Sequence, residues 1–336
     1  MTFHSLKPKT EYLPDTYWHE VGGSGEPAFI GSWTNYGGGF DTAAFRMTAD
    51  GWVYMKGLVK SGSGTLFTLP EGYRPALDVY LPQINANAPG YVNINPNGNV
   101  TIGIPTGSSS FCSMNVRFPV VPLGEYEGRY SVLHGMGLRP GYTEFPFGTF
   151  KRDNGFVEVL GTASASVGGV SKIWVPPEFM CSSMNVVTDS SADAKRFDVK
   201  PSEAGYNYTT TSLWSIIQGE YGTLSTEDQW VTATLENSWA GGTTNALDRW
   251  PPAQYRKDKY GIVHLRGLVL SGSSAAANIF TLPSGYRPAA TLLFPRPTTS
   301  GTGVCRVDVT STGGVAATNN GSTTWNSLDG IAFYPG

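Results

Sequence analysis

The sequence predicts an all-β protein made of three tandem β-sandwich, jelly-roll-like modules that follow a short N-terminal docking segment. Three observations favour this fold class: the composition suits turn-rich β-structure, a nonapeptide occurs twice, and a glycine-bounded strand pattern occurs three times. Segments with the 3.6-residue period of a helix are almost absent, and the one modest candidate covers residues 211–218. The spacing of the modules favours a strand there as well.

The composition combines many turn formers with many strand formers. The 336 residues include 42 Gly and 23 Pro, and aromatic residues make up 12% of the chain. Charged residues make up 15%, whereas an average globular protein has about 25%. Aromatic and β-branched residues recur throughout, so the chain has enough apolar surface to fold and is not predicted to be disordered.

The nonapeptide Phe-Thr-Leu-Pro-Glu-Gly-Tyr-Arg-Pro at residues 67–75 returns with one change at residues 280–288. The copies begin at positions 67 and 280 and are therefore 213 residues apart, which suits duplicated domains with another domain between them.

The repeated nonapeptide is predicted to form a corner between strands, because a proline nitrogen donates no ladder hydrogen bond. Its glycine supplies a turn position with positive φ. Its tyrosine ring covers the core while the hydroxyl caps a free carbonyl, and its arginine lies flat on that ring. The motif is therefore predicted to be structural, and its residues are Pro70, Gly72, Tyr73, Arg74, Pro283, Gly285, Tyr286 and Arg287.

A second pattern places alternating polar and apolar residues between two glycines. It begins at Gly51, Gly155 and Gly261, with spacings of 104 and 106 residues. The middle copy has diverged, because its counterpart of the nonapeptide, around Pro177, lacks the Gly-Tyr-Arg-Pro half. The predicted organisation is a docking segment at residues 1–16 followed by modules at residues 17–123, 124–224 and 225–336.

Each module is predicted to contain six to eight short strands, because turn residues interrupt the apolar runs at short intervals. Residues 91–95 and 99–102 are predicted to pair as a hairpin around a Pro-Asn-Gly turn, and residues 305–309 to pair with the run that starts at Val315. The sequence has neither heptads nor a Gly-x-y repeat, so neither a coiled-coil nor a collagen-like shaft is predicted.

The pattern Gly-x-Val-x-Leu-x-Gly-Leu-Val followed by Phe-Thr-Leu-Pro-x-Gly-Tyr-Arg-Pro resembles a module of bacteriophage tail-fibre and receptor-binding proteins. The outer modules match over residues 30–120 and 239–336, with Met55 at one leucine position, whereas the middle module matches only in outline. The resemblance implies a virion-borne β-sandwich adhesin or tail-tip component that is usually oligomeric and often trimeric. Since no shaft is predicted, residues 1–16 are expected to attach the chain to the virion.

Charge and motif content exclude several classes of function. The net charge is −3 and basic residues form no run, so neither nucleic acid nor an anionic membrane is an expected partner. The N-terminus has no apolar signal-peptide region, and no apolar segment of the sequence is long enough to span a bilayer. Synthesis in the host cytoplasm is therefore expected. Cysteines 112, 181 and 305 are expected to be buried thiols. No cofactor or metal ion is predicted, and His264 is expected on the solvent-facing side of its strand.

A glycan-binding face is the functional site that the sequence favours. Aromatic rings stack against the C–H faces of sugars, and asparagine side chains bond to sugar hydroxyls. The alternative for every such aromatic residue is a place in the core or in a subunit interface. The loop candidates for glycan binding are Trp33, Asn35, Tyr36, Tyr206, Tyr208, Trp325 and Asn326.

The function expected from the sequence is non-catalytic attachment of a phage virion to a host cell-surface glycan. The expected partners are other tail or baseplate proteins, a cell-wall polysaccharide or teichoic-acid-like polymer, and further copies of the chain in a homo-oligomer, with a trimer favoured. One alternative is a structural virion component, such as a collar, capsid fibre or decoration protein. A less favoured alternative is a glycan depolymerase with paired carboxylates. Its candidates are Glu127, Glu144, Glu158 and Glu178.

Overall fold

The protein is described by a computed structural model in which all regular structure is β-strand and no α-helix occurs among the described residues. No described helix is therefore long and apolar enough to cross a membrane. Within residues 142–222 the description extends to the strand backbones and their pairing. The described residues are 12–103, 109–120, 142–144, 148–151, 156–165, 169–173, 183–189, 194–200, 203–210, 215–222, 230–242, 251–274, 276–298, 304–319 and 321–336.

The N-terminal group consists of eleven strands in two antiparallel sheets. The sheet orders are β1-β3-β4-β11 and β2-β5-β10-β7-β8-β9-β6. The strands are β1 (His19–Glu20), β2 (Thr34–Asn35), β3 (Ala44–Met47), β4 (Trp52–Lys56), β5 (Leu58–Lys60), β6 (Thr65–Thr68), β7 (Val79–Asn85), β8 (Ala88–Ile94), β9 (Asn99–Gly103), β10 (Cys112–Ser113) and β11 (Val116–Pro119).

The core of the N-terminal group lies between its two sheets. Phe45 on β3 and Phe67 on β6 come from different sheets, are both fully buried, and stack with ring centroids 6.1 Å apart. Along β9, and along β8 from Gly90 onward, buried and half-buried residues alternate, as expected when one face of a strand packs on a core. Burying a phenylalanine side chain contributes about 1.5–3 kcal/mol, so this core holds the two sheets together.

The C-terminal group also has eleven described strands, and each has a counterpart in the N-terminal group. The sheet orders are β20-β22-β23-β30, β21-β24-β29 and β25-β28-β27-β26. The strands are β20 (Val231–Thr232), β21 (Ala240–Gly241), β22 (Gln254–Lys257), β23 (Val263–Arg266), β24 (Leu268–Leu270), β25 (Asn278–Thr281), β26 (Leu292–Pro297), β27 (Val304–Val309), β28 (Gly314–Thr318), β29 (Trp325–Ser327) and β30 (Ile331–Phe333).

The pairings of the two outer groups agree in register as well as in order. Cys112 faces Val59 and Asn85 across the centre of the seven-stranded sheet. The matching residue Asn326 faces Val269, and an isolated bridge joins it to Thr298. That bridge links the sheet of β21, β24 and β29 to the sheet of β25, β28, β27 and β26, at the place where the N-terminal sheet is continuous.

The middle group has the strand order β12-β14-β19-β16-β17-β18-β15, with β13 paired to β14. This order reproduces that of the seven-stranded N-terminal sheet, with β14 in place of β4 and β5, and β19 in place of β10 and β11. The strands are β12 (Tyr142–Glu144), β13 (Gly148–Lys151), β14 (Phe156–Ala165), β15 (Gly169–Ile173), β16 (Ser183–Asp189), β17 (Ala194–Lys200), β18 (Glu203–Thr210) and β19 (Ser215–Gly222).

The three groups meet at their matching strands. Strands β7, β16 and β26 hold the same place in their sheets, and each approaches the other two with Cα atoms within 8 Å. Between the outer groups, Oγ of Ser113 donates to the carbonyl of Leu293 at 2.9 Å and Nδ2 of Asn115 donates to the same carbonyl at 3.1 Å. The outer groups therefore contact each other directly although the middle group separates them in sequence.

The predicted all-β fold class and both predicted hairpins are confirmed. Strand β8 pairs with β9, and β27 pairs with β28. The expectation of six to eight strands per module is too low for the outer groups, because two-residue strands such as β1 and β2 carry no periodicity that could be read. Residues 215–218 of the weak helix candidate belong to β19, and residues 211–214 lie outside the described residues.

The nonapeptide turns the chain between β6 and β7 and between β25 and β26, with Gly72 and Gly285 at φ values of 94° and 84°. The predicted packing of the tyrosine ring against the core is confirmed for Tyr73 and Tyr286, but the predicted roles of the tyrosine hydroxyl and of the arginine are wrong. Nε of Arg74 caps the free carbonyl of Leu69 at 2.9 Å, and Nε of Arg287 does the same for Leu282 at 2.8 Å. The arginine, five residues along, reaches back to the carbonyl that the turn exposes, and so it takes the role expected of the tyrosine. Those corners also include Pro70, Tyr73, Pro283 and Tyr286.

Two further expectations concern polar residues. His264 is fully buried and its Nε2 lies 2.9 Å from Oδ2 of Asp258, so the prediction of a solvent-facing side chain is wrong. A buried carboxylate partner satisfies the imidazole inside the fold. Asp15, near the end of the predicted docking segment, bonds through its backbone nitrogen to Met47 at 3.1 Å. Residues 1–11 of that segment lie outside the described residues.

Candidate functional site

A cleft of about 170 Å³ opens between the N-terminal and C-terminal groups. One side comes from β4 and the segments around it, and the other from the last residues of the chain and from the segment that leads into β26. We call this space the junction cleft. Its lining residues are Trp18, Asp41, Tyr54, Met55, Lys56, Asn115, Ala289, Leu292, Ala332, Phe333, Tyr334, Pro335 and Gly336.

Three aromatic rings form one wall of the junction cleft. The ring of Tyr334 meets Trp18 edge to face at a centroid distance of 5.4 Å and meets Tyr54 edge to face at 5.5 Å. Trp18 and Tyr334 are half-buried, whereas Tyr54 is buried. The arrangement leaves aromatic surface at the cleft while each ring is held by its neighbours.

Charged side chains frame these rings. Nζ of Lys56 lies 4.8 Å from the centroid of the Trp18 ring and 2.9 Å from Oδ1 of Asp41. The guanidinium of Arg46 lies 4.4 Å from the centroid of the Tyr334 ring. The side chains of Lys56 and Asp41 are 17% and 14% exposed, so each keeps some surface at the cleft.

The local strand geometry explains why these residues meet. Tyr54 and Lys56 lie two positions apart on β4, and side chains two apart on a strand share a face. Arg46 lies on β3 directly opposite Tyr54, so it reaches the same face. Trp18 precedes β1, which pairs with β3 on its other side. Tyr54, Lys56 and Arg46 therefore share one face of a single sheet, which forms the centre of the N-terminal side of the cleft.

The cleft combines aromatic faces with a lysine and a carboxylate. Aromatic rings accept the apolar face of a pyranose, and a neighbouring cation and carboxylate can donate to and accept from adjacent hydroxyls. The volume lies below the roughly 300–1,000 Å³ of pockets that enclose drug-sized ligands, so the cleft has room for a small chemical group only.

Two of the predicted glycan-binding residues are not exposed. Trp33 is 2% exposed and belongs to the N-terminal core, with its ring packed on Gly62. Asn326 is fully buried, and its Nδ2 donates to the carbonyl of Ser322 at 2.6 Å. Trp33 therefore takes the core place that was its alternative, and Asn326 is closed to a ligand at the surface, because burial depends on a three-dimensional pairing that the sequence does not show.

Three other predicted residues are half-buried and lie outside the junction cleft. Oδ1 of Asn35 accepts a hydrogen bond from the backbone nitrogen of Ala43 at 2.8 Å, which assigns it a structural contact. Tyr36 packs edge to face against Phe40, at 5.4 Å, and Nζ of Lys60 lies 5.1 Å from its centroid. Trp325 lies on β29 against Leu268.

The remaining candidates fall in the middle group. Tyr206 and Tyr208 lie on β18, opposite Ile173 and Ser171 of β15, and their side chains lie outside the described part of the chain. The same holds for Glu144 and Glu158, the depolymerase candidates that lie on strands. The remaining two, Glu127 and Glu178, fall outside the described residues altogether.

The sequence reasoning missed the residues that line the junction cleft. A signal was present, because Trp18 and Trp230 each precede the first strand of their group by one position. At matching positions in register, Lys56 and Arg266 lie over these rings, with the Cζ atom of Arg266 4.0 Å from the centroid of Trp230. A tryptophan followed 36 or 38 residues later by a cation is too weak a pattern to select from sequence alone.

The described cysteines are buried, and the described acidic residues form no metal-ligand group. Cys112 and Cys305 are buried free thiols, and burial raises the pKa of each to about 12. A thiol with such a pKa is a poor nucleophile at neutral pH. Over the described ranges, no three His, Cys, Asp or Glu side chains lie close enough to hold a metal ion.

Comparisons of this chain with protein-family models, with curated proteins and with solved structures found no match.

Proposed function

We propose that this chain is a non-catalytic receptor-binding or tail-tip protein of a bacteriophage virion that attaches to a glycan of the host cell surface. The observation that carries the proposal is the junction cleft, where Trp18, Tyr54 and Tyr334 meet the Lys56–Asp41 pair. The repeated Phe-Thr-Leu-Pro-x-Gly-Tyr-Arg-Pro motif supports the virion context by its resemblance to phage modules.

We also propose that the three strand groups are tandem β-sandwich modules of jelly-roll type. The agreement in strand order between the groups supports this, as does the core that joins both sheets of the N-terminal group. In such an architecture loops and module junctions vary while the sheets persist, which is where binding sites commonly arise.

The proposed ligand is a sugar unit of a cell-wall polysaccharide or of a teichoic-acid-like polymer. One ring packs against the half-buried faces of Trp18 and Tyr334, while the Lys56 ammonium and the Asp41 carboxylate bond to its hydroxyls. A single shallow site binds weakly. A repetitive polymer and several copies of the chain per virion raise the effective affinity without further contacts.

Isothermal titration calorimetry of the full chain against a panel of cell-wall polysaccharides tests the proposal. We expect Tyr334→Ala to weaken binding at least tenfold, which corresponds to about 1.4 kcal/mol, because the ring is one wall of the site. Lys56→Met is the second variant, since it keeps the aliphatic stem over Trp18 and removes the ammonium. Tyr91→Ala, on β8 and outside the cleft, serves as the matched control.

Competition with intact phage for host cells gives the biological readout. Saturable binding that blocks phage adsorption, and that Tyr334→Ala reduces while Tyr91→Ala does not, supports a receptor-binding role. A correctly folded chain that binds no host cell and no polysaccharide rules out that role.

A structural virion component is the second candidate, and one observation favours it. The cleft aromatics contact each other across the junction of two groups, and Trp33 is buried, so these rings also serve to hold the fold. In that case, the cleft variants leave adsorption unchanged, and the full chain co-purifies with another virion protein through residues 1–16.

A further inference from the structure

The surface that joins the N-terminal group to the C-terminal group is formed by β10, the start of β11 and β26. Ser113 and Asn115 both bond to the carbonyl of Leu293, and the guanidinium of Arg117 donates to the carbonyl of Gly330 at 3.3 Å. Arg117 is 5% exposed. Burying an arginine costs free energy unless its guanidinium is hydrogen-bonded. Because Arg117 has such a bond across this surface, the two groups form a specific interface here.

The same pair of strand positions is used again between the middle and N-terminal groups. Strand β19, the middle counterpart of β10 and β11, packs against β7, the N-terminal counterpart of β26. In both junctions the strand that holds the β10 position in one group contacts the strand that holds the β7 position in the neighbouring group. A repeated contact between two different surfaces is heterologous, and three such contacts close into a ring when the rotation is threefold.

The geometry points to closure of that ring. Strands β7, β16 and β26 each lie within 8 Å of the other two, which places one strand of each group at a common axis. Ser327 and Asp329, the C-terminal counterparts of Ser113 and Asn115, are 0% and 4% exposed, so the third copy of the surface is also covered. Asn115 and Asp329 match because each accepts a hydrogen bond from a matching glycine nitrogen, of Gly57 and Gly267.

We infer that this chain is a single-chain trimer, in which three strand groups occupy the places of three subunits around a pseudo-threefold axis. The surfaces by which separate copies of such a module associate are then used within one chain. The protein is therefore a monomer in solution, and this inference replaces the sequence-based expectation of a homotrimer. It concerns assembly alone and holds whether or not the junction cleft binds a glycan.

Light scattering after size exclusion, together with native mass spectrometry of the full chain, tests the inference. We expect a mass of 36.0 kDa over the whole accessible range of concentration. A stable species of three times that mass overturns the inference, because identical chains then supply the threefold contacts.

A second experiment tests whether the surface around Asn115 joins the groups. Asn115→Asp keeps the acceptor for Gly57 but removes the donor to Leu293 and places a carboxylate oxygen against that carbonyl. We expect its thermal midpoint to fall by several degrees, and Asn97→Asp, the same change on an exposed turn, to leave the midpoint nearly unchanged. Equal midpoints for the two variants contradict an intrachain interface at this surface.

Discussion

The Tyr73 hydroxyl donates a hydrogen bond of 2.8 Å to Oδ1 of Asp15, 58 residues earlier in the chain. The other carboxylate oxygen of Asp15 accepts from the backbone nitrogen of Met47 at 2.8 Å. The repeated corner therefore ties the segment that enters the N-terminal group to strand β3. In the C-terminal group the matching Tyr286 has a different neighbour, since Nζ of Lys257 lies 5.0 Å from its ring centroid.

Tyr73→Phe removes the bond to Asp15 and the 3.0 Å contact of the same hydroxyl with Nε2 of His19, and it keeps the ring. We expect a loss of about 1–2 kcal/mol in the free energy of unfolding, because a donor to a partly buried carboxylate is lost. Tyr286→Phe is the matched control, since among the described residues no partner bonds to its hydroxyl. Urea denaturation of both variants measures the difference, and equal losses would show that the contacts of the Tyr73 hydroxyl with Asp15 and His19 contribute nothing.

The pH dependence of stability follows from the same contact. Burial, and next the hydrogen bond to Asp15, raise the pKa of Tyr73 well above its usual range. The folded state then holds the proton more tightly than the unfolded state. The contribution is complete below about pH 10, the ordinary pKa of tyrosine, and is lost as the pH rises above it. We expect the alkaline fall of the melting temperature to be less steep in Tyr73→Phe, and parallel curves for variant and parent contradict this.

Gly62 and Gly272 are required because a tryptophan ring lies against each. A Cβ atom at Gly62 would lie 2.1 Å from the Trp33 ring, and one at Gly272 would lie 2.2 Å from the Trp239 ring. Neither glycine has positive φ, so the cost of a side chain is steric and not a matter of backbone strain.

We expect Gly62→Ala and Gly272→Ala each to lower the free energy of unfolding by about 1–3 kcal/mol, because the added methyl group would overpack the space beside the tryptophan ring. Ser63→Ala, at the exposed neighbour of Gly62, is the control. The pair Gly62→Ala with Trp33→Leu relieves the clash, so a double-mutant cycle is expected to show coupling. Additive effects would mean that the ring does not set the requirement for glycine.

The thiols of Cys112 and Cys305 are expected to resist alkylation in the folded protein. Burial raises both pKa values to about 12, so the thiolate fraction is very small at neutral pH. Peptide mapping after iodoacetamide treatment separates these sites from Cys181. Both residues are expected to react in urea, and rapid labelling of either one in the native protein argues against its burial.

The fold class could be predicted because it depends on local features. Alternating residues between Gly51 and Gly57 predict β4, and the Pro-Asn-Gly turn predicts the hairpin of β8 and β9. Both predictions succeed because the side-chain period and the turn conformation depend on only a few neighbouring residues. The shortest strands could not be predicted, since two residues carry no period.

The sequence by itself determined the β-strands, the hairpins, the positive-φ glycines of the corners and the duplication of the outer groups, because each depends on residues that are close together in the chain. Only the tertiary structure decided that Trp33 is buried, that Arg74 and not Tyr73 caps the corner, and that Trp18 meets Tyr334. These outcomes depend on which distant strands lie side by side. The physical reason is that burial and side-chain pairing follow from the packing of whole sheets, whereas strand and turn formation follows from the local chain.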